Sequence, residues 1–322
     1  MQHTRWFAMV AEILLAALVA VGLLASGSLL PVLGVFLSLL SPLPFVLLRL
    51  RHGFPALSLA LALTALTLAG LSSGMQGVAF LLEFGLPAMI LAEGLRRGSR
   101  PELLVTTVAV LLTLGGMGVL VLASEDWAHP LSAIGRHGED ILAQMEAFGA
   151  QLGVPGDGPG VLAGSPTFPA FLRLAFRVAF PALSFVGSLL TAGGYLVLLR
   201  ALTRQWTAQL GGGTPEPLRW ELPEVLVWAV IAAGALYLTG LSRVQAVGLN
   251  LLIILVGLYF LQGLSIAAFL FQRFQLPRVL AALSVFLLLF HPVFPLLVAG
   301  VGLFDVWFGF RHLSFPKSPR QT

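Results

Sequence analysis

Nine long apolar stretches, with arginines gathered in alternate gaps between them, confine this chain to a membrane and give it an orientation. They cover residues 9–26, 28–48, 54–72, 75–93, 103–124, 178–201, 223–240, 245–272 and 279–304. A helix needs about 20 apolar residues to cross a hydrocarbon core of about 30 Å. Most of the stretches reach that length, and charge is nearly absent within them. In lipid the backbone has to satisfy its own donors and acceptors, so runs of this kind fold as helices. The expected fold is an all-α polytopic transmembrane bundle forming one membrane domain over residues 1–322.

Composition agrees. Hydrophobic residues make up 58% of the chain and charged residues 10%, whereas a soluble domain carries about 25% charged residues. The chain cannot clothe itself in water-facing side chains, and it leaves no room for a soluble catalytic domain. Its net charge of +4 does not indicate nucleic acid. The basic residues sit at helix ends, where the positive-inside rule and anionic headgroups place them, and no basic stripe interleaves with aromatics. Cysteine is absent, which excludes disulfides, thiolate catalysis and cysteine metal sites.

The arginines set the topology. Arg5 precedes the first stretch; Arg49 and Arg51 follow the second; Arg96, Arg97 and Arg100 follow the fourth. Arg200 and Arg204 follow the sixth, and Arg273 and Arg278 the eighth. All fall on one side when crossings are counted in order, so the N-terminus is expected in the cytoplasm of a bacterial inner membrane. The first apolar run is read as an uncleaved helix rather than a signal peptide, because eight more follow it. Nine crossings would leave Arg311, Lys317 and Arg320 outside. The HPVFP run at 291–295 offers a way back: its two prolines break helix and permit a hairpin of 279–290 and 294–310. That gives ten segments and a cytoplasmic C-terminus; the alternative is one long kinked helix.

Two stretches lie outside lipid. Residues 125–167 hold six acidic side chains against Arg136. Ile134, Ile141, Met145, Phe148 and Leu152 recur there at helical spacing, which suggests an extracytoplasmic amphipathic helix followed by a loop. It reads either as a lid over a cavity or as a linker resting on lipid. Residues 202–222 read as a cytoplasmic connector, and the glycine run within it lacks the ending of a phosphate loop.

Polar groups within apolar spans carry what functional signal there is. Such groups are costly and mark sites or interhelical bonds. Glu83 lies near the middle of the fourth stretch, where an acid costs about 2.5–3.5 kcal/mol on insertion scales unless protonated or paired. Pro87, four residues on, deprives the Glu83 carbonyl of its helical donor. Asn250 and Gln262, with Tyr259 between them, lie on the eighth stretch. Twelve positions is about 3.3 turns, so the two amides stand some 120° apart. Glu83, Asn250, Tyr259 and Gln262 are the candidate substrate-binding residues, with interhelical hydrogen bonding as the plain alternative for the amides. Asp305 reads as an interfacial anchor beside Trp307, a structural pair or a site residue. Glu12 has no obvious partner on its own helix. Arg173 and Arg177, at i,i+4, are candidates for outer-leaflet headgroups. Ala16 with Ala20, and Ala65 with Ala69, form small-xxx-small pairs for close helix packing. No metal-ligand cluster and no hydrolase or protease motif occurs, so no cofactor and no enzymatic activity are expected.

Five segments carry a family resemblance: LSPLPFVLLRLRHG at 40–53, EFGLPAMILAEGLRRG at 83–98, WELPEVLVWAVIAAG at 220–234, NLLIILVGLYFLQGLSIAAFLF at 250–271 and GLFDVWFGFR at 302–311. In combination and order they resemble the YybS-like family of bacterial multi-spanning membrane proteins. That family in turn resembles the substrate-binding S-components of energy-coupling-factor vitamin transporters. The resemblance implies an S-component-like core with an outward-opening cavity, no ATPase of its own, and a coupling transmembrane subunit with ATPases as partner. Ala16 and Ala20 would then be candidates for contact with that subunit. S-components usually have six spans, fewer than are counted here, and no vitamin-specific pocket motif is recognisable. The leading expectation is binding or transport of a small hydrophilic molecule. The rivals are a membrane scaffold that recruits envelope or division proteins through residues 125–167, and a lipid-handling protein that uses Arg173 and Arg177.

Overall fold

A computed structural model of the chain describes residues 2–29, 37–123, 140, 143, 167–209, 220–277, 280, 284 and 294–310. All regular structure among these residues is helical. They fall into two compact units, Met1–Thr214 and Pro215–Thr322.

The first unit opens with α1 (Gln2–Leu29), α2 (Pro42–His52) and α3 (Phe54–Leu71). A broken helix follows, consisting of α4 (Gly74–Phe80), a π-helical turn (Leu81–Gly85) and α5 (Leu86–Arg97). It closes with α6 (Pro101–Ala123) and α7 (Thr167–Gln209). The second unit holds α8 (Leu226–Leu238), α9 (Ser242–Arg273) and α10 (Phe294–Phe308). Among the described residues six helical segments are long and apolar enough to cross a membrane: Trp6–Ser26, Phe54–Leu71, Gly74–Arg97, Pro101–Leu122, Val178–Leu202 and Ser242–Arg273. Helices α8 and α10 are apolar but shorter; the 13 residues of α8 rise only about 20 Å.

The stretch 28–48 does not continue as one helix through its described part. Leu40 and Ser41 donate to the carbonyls of Leu37 and Ser38 in a turn, and the Ser41 hydroxyl also donates to Ser38 O at 2.7 Å. Pro42 then starts α2, because proline lacks the N–H that a first helical turn leaves unused. Most of the acidic segment 125–167, the sequence 210–219 and the HPVFP region at 291–293 lie outside the described residues. The expected lid and the turn of the expected hairpin fall there, whereas the second piece of the hairpin is helix α10. In the expected connector 202–222, helix α7 runs on to Gln209.

Many apolar side chains point outward. Leu18 is 70% exposed, Leu66 71% and Leu238 81%, a surface that only lipid can solvate. Inside the first unit, close approach depends on small residues. A Cβ built on Gly77 would stand 2.7 Å from the carbonyl oxygen of Ala65 and 3.2 Å from Cβ of Ala69. The Ala65/Ala69 pair therefore packs α3 against α4 within the fold. Ala16 and Ala20, at 6% and 0% exposure, are buried on α1, which packs on α2 and α3. Phe45 on α2 meets Phe80 edge-on, with centroids 5.7 Å apart. Helix α5 ends at Gly98, whose φ of +65° is a left-handed conformation that favours glycine. Ser99 N–H there reaches back to Gly94 O at 2.9 Å, closing the turn into Pro101.

Ion pairs lock one end of this unit. Arg49 at the end of α2 meets Glu93 on α5 at 3.0 Å, and Glu93 also pairs with Arg96 and Arg97 at 3.0 and 2.7 Å. Glu12 on α1 is met by His52 at 2.9 Å and Arg51 at 3.4 Å. Its partners come from α2, which a search along α1 cannot find.

Candidate functional site

Glu83 sits at the centre of the π-helical turn. The N–H of Leu86 donates to Leu81 O, five residues back, instead of making the usual bond four back. Pro87 explains the register: it has no N–H to offer the Glu83 carbonyl, and the helix widens by one residue to absorb the loss. Such turns recur at functional sites. The widened turn is met closely by α6. A Cβ on Gly115 would lie 3.3 Å from Leu82 O, and one on Gly116 would lie 3.9 Å from Glu83 Oε1. Gly115 thus admits the close approach of α6 to the π turn, while Gly116 lines the space in front of the carboxylate.

That space is a cavity of about 330 Å³ between the π turn, α6 and α7. Its polar lining consists of Glu83, Thr113, Ser184 and Ser188; Leu112, Met117 and Phe180 are among its apolar walls. The Glu83 carboxylate makes no hydrogen bond or ion pair among the described residues. Thr113 donates its hydroxyl proton to Ala109 O at 2.8 Å, so its oxygen offers only lone pairs to the cavity. The three hydroxyl residues were not singled out in the sequence. Ser184 and Ser188, one turn apart on the sixth apolar stretch, were the available signal.

Gln262 has a different setting, in the second unit. It is 3% exposed. Its Oε1 accepts from Leu222 N–H at 3.2 Å, and its Nε2 donates to Asp305 Oδ2 at 3.3 Å. Ser265 Oγ accepts from Trp220 N–H at 3.2 Å, and Asp305 Oδ1 accepts from Phe310 N–H at 2.8 Å. Together these bonds fasten the WELP segment to α9 and α9 to α10. Helix approach makes this possible: Gly263 lies against the Val298 carbonyl and Gly302 against the Tyr259 carbonyl, with no room for a Cβ on either. Gln262 is thus occupied in joining elements, which is its plain reading. Asp305 is a structural partner too, of the Gln262 amide.

Tyr259 is 2% exposed, and its hydroxyl has no hydrogen-bond partner among the described residues. Asn250 donates to Ala246 O on its own helix at 2.8 Å and lies about 18 Å along α9 from Gln262. Tyr259 and Gln262 belong to one neighbourhood; Asn250 does not join them. Arg173 and Arg177 lie on α7, but their side chains fall outside the described residues. Among the described residues no group of three or more potential metal ligands gathers.

Residues 17–306 match the family described as "predicted membrane protein (DUF2232)", and the chain belongs to that family. No curated protein and no solved structure matches it.

Proposed function

We propose that this member of the family binds a small hydrophilic molecule at the Glu83 cavity, acting as a substrate-binding subunit without an ATPase of its own. The observation that carries the reading is an unpaired carboxylate on a π-helical turn, facing a cavity with three hydroxyls. A carboxylate held in a lipid-embedded bundle without a partner is costly, and a ligand that meets it offsets that cost. The cavity lies at the small end of the usual range for ligand sites, about 300–1,000 Å³, which suits a small metabolite.

The protein sits in a bacterial inner membrane with its N-terminus in the cytoplasm, and ten crossings return its C-terminus to the same side. The ion pairs Arg49–Glu93 and Glu12–Arg51 support the orientation. They gather at one end the arginine-rich gaps that the positive-inside rule assigns to the cytoplasm. Transport would use a separate transmembrane coupling subunit and ATPases, as in S-component systems. Affinity purification from native membranes in mild detergent, with mass spectrometry of retained proteins, tests this. Recovery of a coupling subunit with ATPases is the expected outcome. Recovery of envelope-assembly proteins without any ATPase would replace the transporter reading with a scaffold.

A further inference from the structure

We propose that the ligand of the Glu83 cavity is a small organic cation held through an ammonium group; the inference rests on the binding reading above and narrows its chemistry. The polar lining is complementary to a donor-rich positive charge. Glu83, when ionised, has only acceptor oxygens, and they are unclaimed by any other described side chain. Thr113 has spent its proton on Ala109 and also presents an acceptor. An ammonium has three donors and no acceptor, so it fits both groups at once, while Ser184 and Ser188 can orient to accept or donate. An anion would meet the carboxylate with no lysine, arginine or histidine among the lining residues to balance it.

Charge balance alone also admits an inorganic cation. Volume and wall chemistry decide for an organic one. A bare ion needs far less than 330 Å³, and the remaining surface is dominated by apolar groups such as Leu112, Met117, Leu120 and Phe180. A short hydrocarbon body fits those walls.

The test is calorimetric titration of the purified full chain in mild detergent. The probes are ethanolamine and 1,4-diaminobutane, with ethylene glycol and 1,4-butanediol as neutral counterparts, acetate and succinate as anions, and sodium chloride as the inorganic cation. Glu83→Gln and Thr113→Val are titrated beside the native protein, and size-exclusion profile and helicity confirm that each variant is folded. Saturable binding of at least one amine is expected, weakened about tenfold or more by Glu83→Gln because a charge-assisted bond is lost. Thr113→Val should weaken it by a smaller factor. Glu83-dependent binding of only the neutral, anionic or sodium probes would overturn the organic-cation assignment and leave the cavity reading in place. Absence of Glu83-dependent binding across the whole panel would overturn both.

Discussion

Replacing Gln262 by leucine separates a joining residue from a ligand residue. The substitution keeps approximate volume but removes two hydrogen bonds, to Leu222 N–H and to Asp305 Oδ2. Interhelical side-chain bonds in membrane proteins contribute about 0.6 kcal/mol on average and at most about 1.7. Two such bonds therefore give roughly 1.2 kcal/mol. The part-buried Leu222 N–H is left without its acceptor, which adds less than the cost of about 1–3 kcal/mol of a fully buried donor. The expected loss is about 1–3 kcal/mol, or roughly 5- to 150-fold in the folding equilibrium. Reversible unfolding of the purified protein in mixed micelles, followed by circular dichroism, reads this directly. Ligand binding at the Glu83 cavity should stay within about twofold of native, well under the tenfold that 1.4 kcal/mol would bring. A variant with unchanged stability and abolished binding would refute the joining role and return Gln262 to the ligand site.

Two further variants test the packing. Gly302→Val places a side chain against the Tyr259 carbonyl. It should destabilise the second unit by about 1–3 kcal/mol or more, as overpacking does, visible as a lowered unfolding midpoint in the same micelles. Arg49→Ala removes the pair that ties α2 to α5, whereas Arg96 and Arg97 pair with Glu93 within one helix. Thermal melts should show a larger drop for Arg49→Ala than for Arg96→Ala or Arg97→Ala; equal drops would show that the tie between helices contributes nothing special.

Class and lipid exposure were legible from the sequence because helix length is set by a physical constant, the bilayer thickness. Six of the nine stretches, the first, the third to the sixth and the eighth, appear among the described residues as full-length apolar helices. Counting apolar residues fails where a polar detail breaks a run. Pro42 and Pro44 leave an 11-residue helix at the end of the second stretch, and the seventh becomes helical only from Leu226. Glu83 with Pro87 was readable as a disturbed acid in mid-span. The π turn follows from the same missing N–H, but its register could not be counted from the sequence. Partners across helices were not legible at all. Glu12 finds Arg51 and His52, and Gln262 finds Asp305, only once the chain has folded. The acceptor bias of Thr113 likewise depends on a backbone carbonyl one turn back, which any mid-helix threonine can reach.

The measurement that bears most directly on the proposed site is a comparison of small molecules carried by the native protein and by Glu83→Gln. Both are purified from native membranes in mild detergent, denatured, and their extracts compared by mass spectrometry. The account predicts at least one compound, near stoichiometric on the native protein and depleted about tenfold or more on the variant, as the loss of a charge-assisted contact implies. Identical extracts from two equally folded proteins would contradict it, and would leave Glu83 as a half-buried acid with no ligand to meet.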